Sequence, residues 1–263
     1  MNIEMKSNNC LNMQFDLLEG MFFDKKEDNN EYIFCCSETM DDEFWNIVYI
    51  KNKLSASLLQ EIEDKFKKIN RRPSIYISED DKDYEFNKEV LKNNNYNINN
   101  SDVYMKLVKQ NKNDININIK VVENEDEYSD FMKVLSSAYN DSIENPEENV
   151  YADAVTECYY KAVKNTINTN HYHIIAYADN IPVSVATLNY VNGVGGINNV
   201  GTAQGYWNKG YGKQVLTYLI NLFETLGGGT LTLSTEHNSK NQKFYEKLGF
   251  QEQYVIEQYL KNK

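Results

Sequence analysis

Residues 200–212 read Val-Gly-Thr-Ala-Gln-Gly-Tyr-Trp-Asn-Lys-Gly-Tyr-Gly, and an amphipathic run follows directly, from Lys213 to Leu226. A glycine-rich turn that opens into a helix is a ready anion-binding site. The first backbone N–H groups of a helix have no partner within it, and the aligned peptide dipoles favour negative charge there. Glycine at positions 210 and 212 lets this backbone approach a ligand without an intervening side chain. The stretch therefore predicts a ligand that carries phosphate groups.

The bulk composition favours a globular protein that binds a small molecule. The chain has 263 residues, of which 41% are hydrophobic, and this suits two small domains or one large one. A net charge of −12 argues against a nucleic-acid backbone or an anionic membrane as the main partner. No run approaches the roughly 18 apolar residues that a membrane-spanning helix needs. We expect a cytoplasmic protein, because the four cysteines lack C-x-x-C spacing and no secretory leader is recognisable.

A polar segment divides the chain near residues 110–114. Residues 109–114 are polar, and the three isoleucines of residues 115–119 then alternate with polar residues, as in a strand. We therefore predict two domains, residues 1–112 and residues 113–263.

The second domain shows a clear order of strands and helices. The prediction is a strand at 115–122, a helix at 125–139, an acidic loop at 140–150, a helix at 151–164, strands at 171–178, 182–191 and 195–202, a helix at 210–226, a strand at 230–236, a helix at 238–248 and a last strand at 253–260. Tight turns at Asp179–Pro182 and Asn192–Gly193 join the three central strands.

The first domain is a weaker version of the same order. Strands are predicted at 31–36 and 43–50, followed by a helix at 55–69, a strand at 74–78, a helix at 84–93 and a strand at 102–108. Residues 90–96 take the place that residues 244–250 have in the second domain. This favours an internal duplication over chance similarity of helix–turn–strand units. The first copy lacks the glycine loop, and Ser55 is predicted as an ordinary N-cap of its helix.

Two motifs in the second domain together resemble the GCN5-related N-acetyltransferase (GNAT) family. The first is the stretch 200–212, and the second is Asn238–Phe250, which reads Asn-Ser-Lys-Asn-Gln-Lys-Phe-Tyr-Glu-Lys-Leu-Gly-Phe. A dinucleotide fingerprint would need a third glycine, and a P-loop would need Gly-Lys-Ser/Thr. The resemblance covers residues 115–260 strongly and the first half weakly. It implies an α+β protein with the acyl-CoA N-acyltransferase fold, a central mixed and mostly antiparallel sheet flanked by helices, present twice.

The resemblance also implies an activity, the direct transfer of an acetyl group from the cosubstrate acetyl-CoA to a primary amine. In the family two neighbouring strands splay apart, and the pantetheine arm pairs with an exposed backbone edge; here strands 182–191 and 195–202 are expected to do so. A backbone N–H near Val200 would stabilise the oxyanion, and the N–H groups of residues 207–212 would hold the diphosphate. The cofactor-binding residues implied in this way are Asn199, Val200, Gly201, Thr202, Trp207, Asn208, Lys209, Gly210, Tyr211, Gly212, Asn238, Asn241 and Tyr245.

Tyr245 is the predicted catalytic residue. The family resemblance places its hydroxyl near the thioester sulfur, and a phenol with a solution pKa of about 10 can protonate a thiolate leaving group. The alternative is a core tyrosine. Asn238 is expected to be the N-cap of the same helix and to hold the pantetheine or a water. The general base stays open between Glu236, Tyr190 and a water chain, and an amine that is already neutral would need none.

Trp207 departs from the family pattern, which usually has Arg or Gln at this place. Contacts between backbone N–H groups and the pyrophosphate would survive the change, although binding would be weaker if the side chain is needed. Instead of contacting the pyrophosphate, the Trp207 side chain would cover the nucleotide or pack against the protein. This departure and the missing base motivate the alternative function, a non-catalytic acyl-CoA sensor or interaction protein. An unrelated nucleotide-binding enzyme is a third and less favoured interpretation.

The acceptor and the remaining partners are predicted only by class. The acidic residues between 141 and 148 would attract a cationic acceptor, such as a polyamine, an aminoglycoside or a lysine side chain, or else form a solvated loop. His171 and His173 share one face of a strand, but further ligands at suitable geometry are not recognisable, so no metal is predicted. We expect a small-molecule or peptide amine as acceptor, no nucleic acid or membrane as partner, and a monomer or homodimer.

Overall fold

The computed structural model of the protein describes residues 15, 17–38, 40–110, 114–139, 160–161, 163–167 and 169–262. The chain forms two compact units. The first comprises Met1–Lys106, Ser234–Lys247 and Gln251–Lys263, and the second comprises Leu107–Leu233 and Leu248–Phe250. Among the described residues, no helix is both long and apolar enough to cross a membrane.

The first half of the chain contributes five strands and two helices to the described part of the fold. They are β1 (Lys25–Asp28), β2 (Tyr32–Cys36), β3 (Ile47–Ile50), α1 (Ala56–Lys68), β4 (Ser74–Ser78), α2 (Tyr84–Asn93) and β5 (Tyr96–Leu107). The second half continues with β6 (Asn118–Val121), α3 (Glu125–Tyr139), β7 (His171–Ala178), β8 (Ile181–Val191), β9 (Val194–Thr202), α4 (Tyr211–Thr225), β10 (Thr230–Glu236), α5 (Lys240–Leu248) and β11 (Phe250–Lys261). The α+β fold class with a mixed sheet is confirmed.

Strands β3 and β6 begin later than predicted, at Ile47 rather than residue 43 and at Asn118 rather than residue 115. Strands β1 and β5 differ more, because tertiary pairing outweighs local propensity. The edge strand β1 reads Lys-Lys-Glu-Asp and is largely exposed, so it lacks the apolar alternation that marks a strand. Strand β5 begins at Tyr96 rather than at residue 102. Its first part is rich in asparagine, which is rare in strands. Cross-strand hydrogen bonds compensate, for example the one that Asn99 Nδ2 donates to Gln258 Oε1 at 2.8 Å.

The sheet of the first unit includes β11, the last strand of the chain, between β4 and β5. Its strand order is β1-β2-β3-β4-β11-β5, followed by the end of β10. Strand β4 is parallel to β3 and antiparallel to β11, with Ile256 opposite Ser78 and Leu260 opposite Ser74. Helix α1 packs on this sheet through Leu58, Leu59, Ile62 and Phe66, in a core that also includes Tyr259 of β11. The first unit is therefore completed only by residues that follow Phe250.

The second unit is built around an antiparallel run of four strands, β6-β7-β8-β9, with β10 parallel to β9. The predicted tight turns are confirmed, because both central residues of each turn have positive φ, +50° and +64° at Asp179 and Asn180 and +50° and +81° at Asn192 and Gly193. Helix α3 covers one face of these strands, with Phe131 and Leu135 in a core with Val185.

Both units contain the same order of elements. In the first, β2 and β3 form an antiparallel pair, α1 crosses over, and β4 returns parallel to β3. In the second, β8 and β9 pair, α4 crosses over, and β10 returns parallel to β9. The repeated order supports the duplication hypothesis, and the division into domains 1–112 and 113–263 stays a prediction.

Candidate functional site

The glycine loop leads into a helix whose first turn has no side-chain cap. Gly210 is the N-cap residue of α4, has a φ of +82° and, being glycine, supplies no side-chain acceptor to the N–H groups of the first turn. The matching helix α1 differs, because Ser55 Oγ accepts a hydrogen bond from Leu58 N at 3.1 Å, which confirms the predicted N-cap. Uncapped N–H groups and the helix dipole favour an anion at the start of α4.

Trp207 joins the loop to the end of β9. Its indole Nε1–H donates a hydrogen bond to Thr202 O at 2.7 Å, while the side chain stays 46% exposed. The Lys209 ammonium lies 4.8 Å from the centre of the Tyr206 ring in the same loop. The two predicted cofactor-binding segments, 199–202 and 207–212, are therefore brought together within the second unit. The residue that departs from the family pattern makes the connecting bond.

The predicted splay between strands 182–191 and 195–202 is wrong. Strands β8 and β9 are paired from Val191 opposite Val194 to Ser184 opposite Thr202. The two-residue turn between them sets this register, because it closes the hairpin from its first pair onward. The open backbone edge belongs to the other side of β9. Pairing with β10 ends at Ile197, and the edge at residues 200–202 pairs with no strand among the described residues of the second unit.

A β-bulge interrupts the hairpin at this open part of β9. Thr187 lies opposite Asn198 and Val185 opposite Gly201, so β9 has one extra residue between these pairs. Asn199 has a φ of +54°, in the left-handed region that asparagine tolerates better than most residues. A bulge redirects the peptide groups of its strand.

Three carbonyl groups after the bulge accept side-chain hydrogen bonds. Val200 O accepts one from the Tyr139 hydroxyl at 3.3 Å, Gly201 O accepts one from Ser184 Oγ at 2.8 Å, and Thr202 O accepts the bond from Trp207. These donors come from α3, β8 and the glycine loop. They hold the backbone of the predicted acyl-binding segment in one orientation.

A buried chain of polar side chains leads away from the bulge, and sequence reasoning missed it. Asn199 Nδ2 donates to Thr187 Oγ1 at 3.1 Å, and Thr187 Oγ1 lies 2.9 Å from His173 Nδ1. His173 Nε2 lies 3.0 Å from Thr166 Oγ1, which donates to Val163 O at 2.7 Å. The available signal was the pair of polar residues, His173 and Thr187, at positions where the strands are otherwise apolar.

Acidification from pH 7 to pH 5 will destabilise the protein by about 2 kcal/mol through His173. Burial, with a smaller contribution from the charge of His171, lowers the pKa of His173 from 6.5 to about 3. Between these values the unfolded chain binds a proton that the folded protein excludes, so stability falls as the pH falls below 6.5. Urea unfolding of the wild type and of His173→Asn at both pH values measures the effect. The variant should lose about 2 kcal/mol less than the wild type, and equal losses would contradict the prediction.

The second motif lies on α5, in the first compact unit. The predicted N-cap at Asn238 is wrong, since Ser239 Oγ accepts the hydrogen bond from Gln242 N at 3.1 Å and Gln242 Oε1 accepts one from Asn238 N at 2.7 Å. Asn238 has a φ of +60°, outside the extended conformation that an N-cap residue usually adopts. Tyr245 is 8% exposed and lies beside the Phe244 ring, with 5.4 Å between ring centres. Asn241 is exposed in the first turn of α5.

The other polar candidates have local partners. His171 Nδ1 lies 2.7 Å from Asn189 Oδ1, and burial lowers the pKa of His171. Among the described residues no three His, Cys, Asp or Glu side chains are grouped as metal ligands would be. The absence of a metal stays a prediction. The acidic residues between 141 and 148 lie outside the described residues.

The comparisons with known proteins agree with the fold and the motifs. The family model described as "Acetyltransferase (GNAT) family" matches residues 132–250. A functionally unknown conserved protein of Staphylococcus epidermidis has a similar structure, with 16% identity and a TM-score of 0.67 over 90% of this chain and 93% of that one. A GCN5-related N-acetyltransferase from Kribbella flavida follows at 15% identity and a TM-score of 0.65, over 91% and 90% of the two chains. No curated protein matches the sequence.

A further similar structure is a tandem GNAT protein from the clavulanic acid biosynthesis pathway. It is 8% identical, with a TM-score of 0.58 over 87% of this chain and 77% of that one. At these identities the structures establish the fold alone, which is the acyl-CoA N-acyltransferase fold. The residues that match the GNAT acetyltransferase family model, 132–250, include every predicted cofactor-binding residue.

Proposed function

We propose that residues 113–263 transfer an acetyl group from acetyl-CoA directly to a primary amine of a small molecule or peptide. The observation that carries this proposal is the uncapped start of α4 behind Gly210, joined to the end of β9 by the Trp207–Thr202 hydrogen bond. A diphosphate at the helix start would accept hydrogen bonds from the N–H groups of residues 207–212. The acyl arm could then run along the adjacent backbone.

The open edge of β9 is the proposed site for the pantetheine arm and the thioester. An extended chain with amide groups adds to a free strand edge through main-chain hydrogen bonds. The edge at residues 200–202 pairs with no strand among the described residues of the second unit. The N–H of Val200 is proposed to polarise the thioester carbonyl and stabilise the oxyanion as the amine attacks.

Tyr245 is proposed to protonate the departing thiolate, and Asn238 and Asn241 are proposed to contact the pantetheine. When the amine attacks the thioester carbon, the carbon–sulfur bond breaks and the sulfur needs a proton, which a phenol hydroxyl can donate. The amine must arrive neutral or lose its proton on the way, and that base is not assigned. Residues 1–112 are proposed to be a degenerate copy, because α1 starts at a serine cap rather than at a glycine loop.

The alternative function is a non-catalytic acyl-CoA sensor, for which the sequence offered two arguments, the unusual Trp207 and the unassigned base. The hydrogen bond from Trp207 to Thr202 gives this residue a structural role in the loop, so its presence does not favour a loss of catalysis. Calorimetry with acetyl-CoA, followed by a thiol-release assay across amine classes, separates the two functions. Binding with thiol release supports the transferase, and binding without release by any amine supports the sensor. No heat with any acyl-CoA would refute both.

Gly210→Ala will weaken acetyl-CoA binding at least about tenfold, because the new methyl group would stand where the phosphates approach the helix start. A Cβ at this position meets no protein atom within 4 Å, so the protein itself accommodates the methyl apart from the strain of a positive φ. Isothermal titration calorimetry gives the affinity.

Gly193→Ala is the matched control for this experiment. Gly193 has a φ of +81°, and its nearest neighbour to an added Cβ is Gly228 O at 3.8 Å, so the backbone strain is similar. We expect similar losses of stability in the two variants and a loss of affinity only at position 210. Equal affinities would show that acetyl-CoA does not bind at the start of α4.

A further inference from the structure

The hydrogen bonds between Asn199 and Val163 run in one direction. Thr166 Oγ1 donates its proton to Val163 O, so its oxygen can only accept from His173 Nε2. The proton of His173 is therefore on Nε2, and Nδ1 accepts from the Thr187 hydroxyl. The Thr187 oxygen in turn accepts from Asn199 Nδ2. A neutral imidazole with one defined tautomer is required for every bond in this chain.

The hydrogen-bonded side chains from Thr166 to Asn199 stand out from the apolar core around them. On the same face of the sheet the neighbouring positions are apolar, Ile175 on β7 and Val185 on β8. Polar pairs replace them further along the two strands, where His173 lies directly opposite Thr187 and His171 opposite Asn189, and Thr187 is the one of these residues that reaches the bulge of β9 through Asn199. All four side chains from Thr166 to Asn199 are at most 6% exposed. Burying polar groups is costly unless their hydrogen bonds are all made, so such a chain favours one geometry strongly.

We propose that His173 is a positioning residue for the acyl-transfer reaction. It holds the Thr187 hydroxyl so that the oxygen faces Asn199, and Asn199 is thereby held in the left-handed bulge. The bulge directs the peptide groups at residues 199–201, which would hold the thioester carbonyl. The effect on catalysis rests on the proposed function, whereas the effect of His173 on the conformation of the bulge does not.

Two substitutions at position 173 separate positioning from stability. Asparagine places a carbonyl oxygen near the Nδ1 position, so His173→Asn keeps the acceptor for Thr187 and loses the bond to Thr166. Glutamine places an amide near the Nε2 position, so His173→Gln keeps the bond to Thr166 and loses the acceptor for Thr187. Each variant loses one buried hydrogen bond, so similar losses of thermal stability are expected.

We expect kcat for acetyl transfer to fall about a hundred-fold in His173→Gln and less than about threefold in His173→Asn, as a small displacement of reacting groups would cause. The Kd for acetyl-CoA should stay within about twofold in both, because the diphosphate site at α4 is unchanged. Parallel losses of kcat and stability in the two variants would overturn the positioning role. If either variant fails to fold, Thr187→Val against Thr187→Ser gives the same comparison, with the activity retained only by serine.

A measurement without substrate tests separately whether His173 holds the bulge in its conformation. In ¹⁵N-labelled protein without CoA, the Asn199 side-chain amide, which donates to Thr187, should exchange slowly in the wild type and in His173→Asn. It should exchange about tenfold faster in His173→Gln, where the hydrogen bond between position 173 and Thr187 is lost. Similar exchange in the two variants would refute the control of the bulge. A wild type that exchanges slowly but binds no acyl-CoA would instead refute the proposed function and with it the catalytic part of the inference.

Discussion

A chain that ends at Phe250 will lose the fold of the first compact unit. Strand β11 lies between β4 and β5 in that unit, and residues 254–260 are all buried. Removing each large buried side chain costs about 2–5 kcal/mol, and this segment contains Tyr254, Ile256, Tyr259 and Leu260. The sum for these four side chains, about 8–20 kcal/mol, is as large as the roughly 5–15 kcal/mol by which a typical domain is stable. The loss of the pairing between β11 and β4 adds to it.

Hydrogen exchange at Ile75 and Ile77 of β4 measures this loss directly, and urea unfolding shows whether a cooperative transition remains. A peptide of residues 251–262 added in trans should restore protection in β4. The same peptide with Ile256→Asp and Tyr259→Asp should not, because a buried carboxylate without a partner is strongly disfavoured. Unchanged protection of β4 in the shortened chain would contradict the prediction.

The isolated fragment 1–112 should be unfolded for the same reason. It contains β1 to β5 but lacks the strand that separates β4 from β5. A folded fragment would mean that β5 moves to β4 and takes the place of β11. That outcome would show that the first copy is self-contained, and nuclear magnetic resonance of the fragment decides between the two results.

Tyr245→Phe will lower kcat about a hundred-fold and leave the Kd for acetyl-CoA unchanged, because it removes only the proposed proton donor. The ring is 8% exposed, and phenylalanine keeps its packing beside Phe244 on α5. The measurement is the steady-state rate of thiol release, with calorimetry for the affinity.

Tyr218→Phe is the control for this substitution. Tyr218 is a half-buried tyrosine of α4 with no proposed role in the reaction. We expect its kcat to stay within about twofold of the wild type, as for most substitutions away from a site. Equal rates for Tyr245→Phe and the wild type would remove Tyr245 from the mechanism and leave water as the proton donor.

Most elements of the second half could be predicted because their signals are local. Strand β7 at His171–Ala178 and helix α3 at Glu125–Tyr139 have the predicted bounds, since alternation and helical periodicity are properties of short segments. The start of β5 at Tyr96 could not be predicted, because its asparagines become a strand only when neighbouring strands supply partners. Strand β1 was not predicted for a similar reason, because its polar residues form a strand only by pairing with β2.

In the candidate site, too, the local features could be predicted from the sequence and the features that depend on strand pairing could not. Glycine at position 210 and the helix behind it are neighbours in the sequence, so the helix start that is proposed to bind the diphosphate could be predicted from them. The bulge at Asn199 depends on how β9 pairs with β8, and no local pattern encodes an extra residue. The expected splay of those strands was wrong because the choice of partner for each strand edge is a tertiary property.

The sequence by itself determined the fold class, the glycine loop and the order of most strands and helices, because these depend on residues within a few positions of one another. The tertiary structure alone decided that β11 pairs with β4, that the free edge of β9 is the one away from β8, and that His173 reaches Asn199 through Thr187. The physical reason is that hydrogen-bond partners across strands are chosen by the whole sheet, where burial and pairing compete over long separations in the chain.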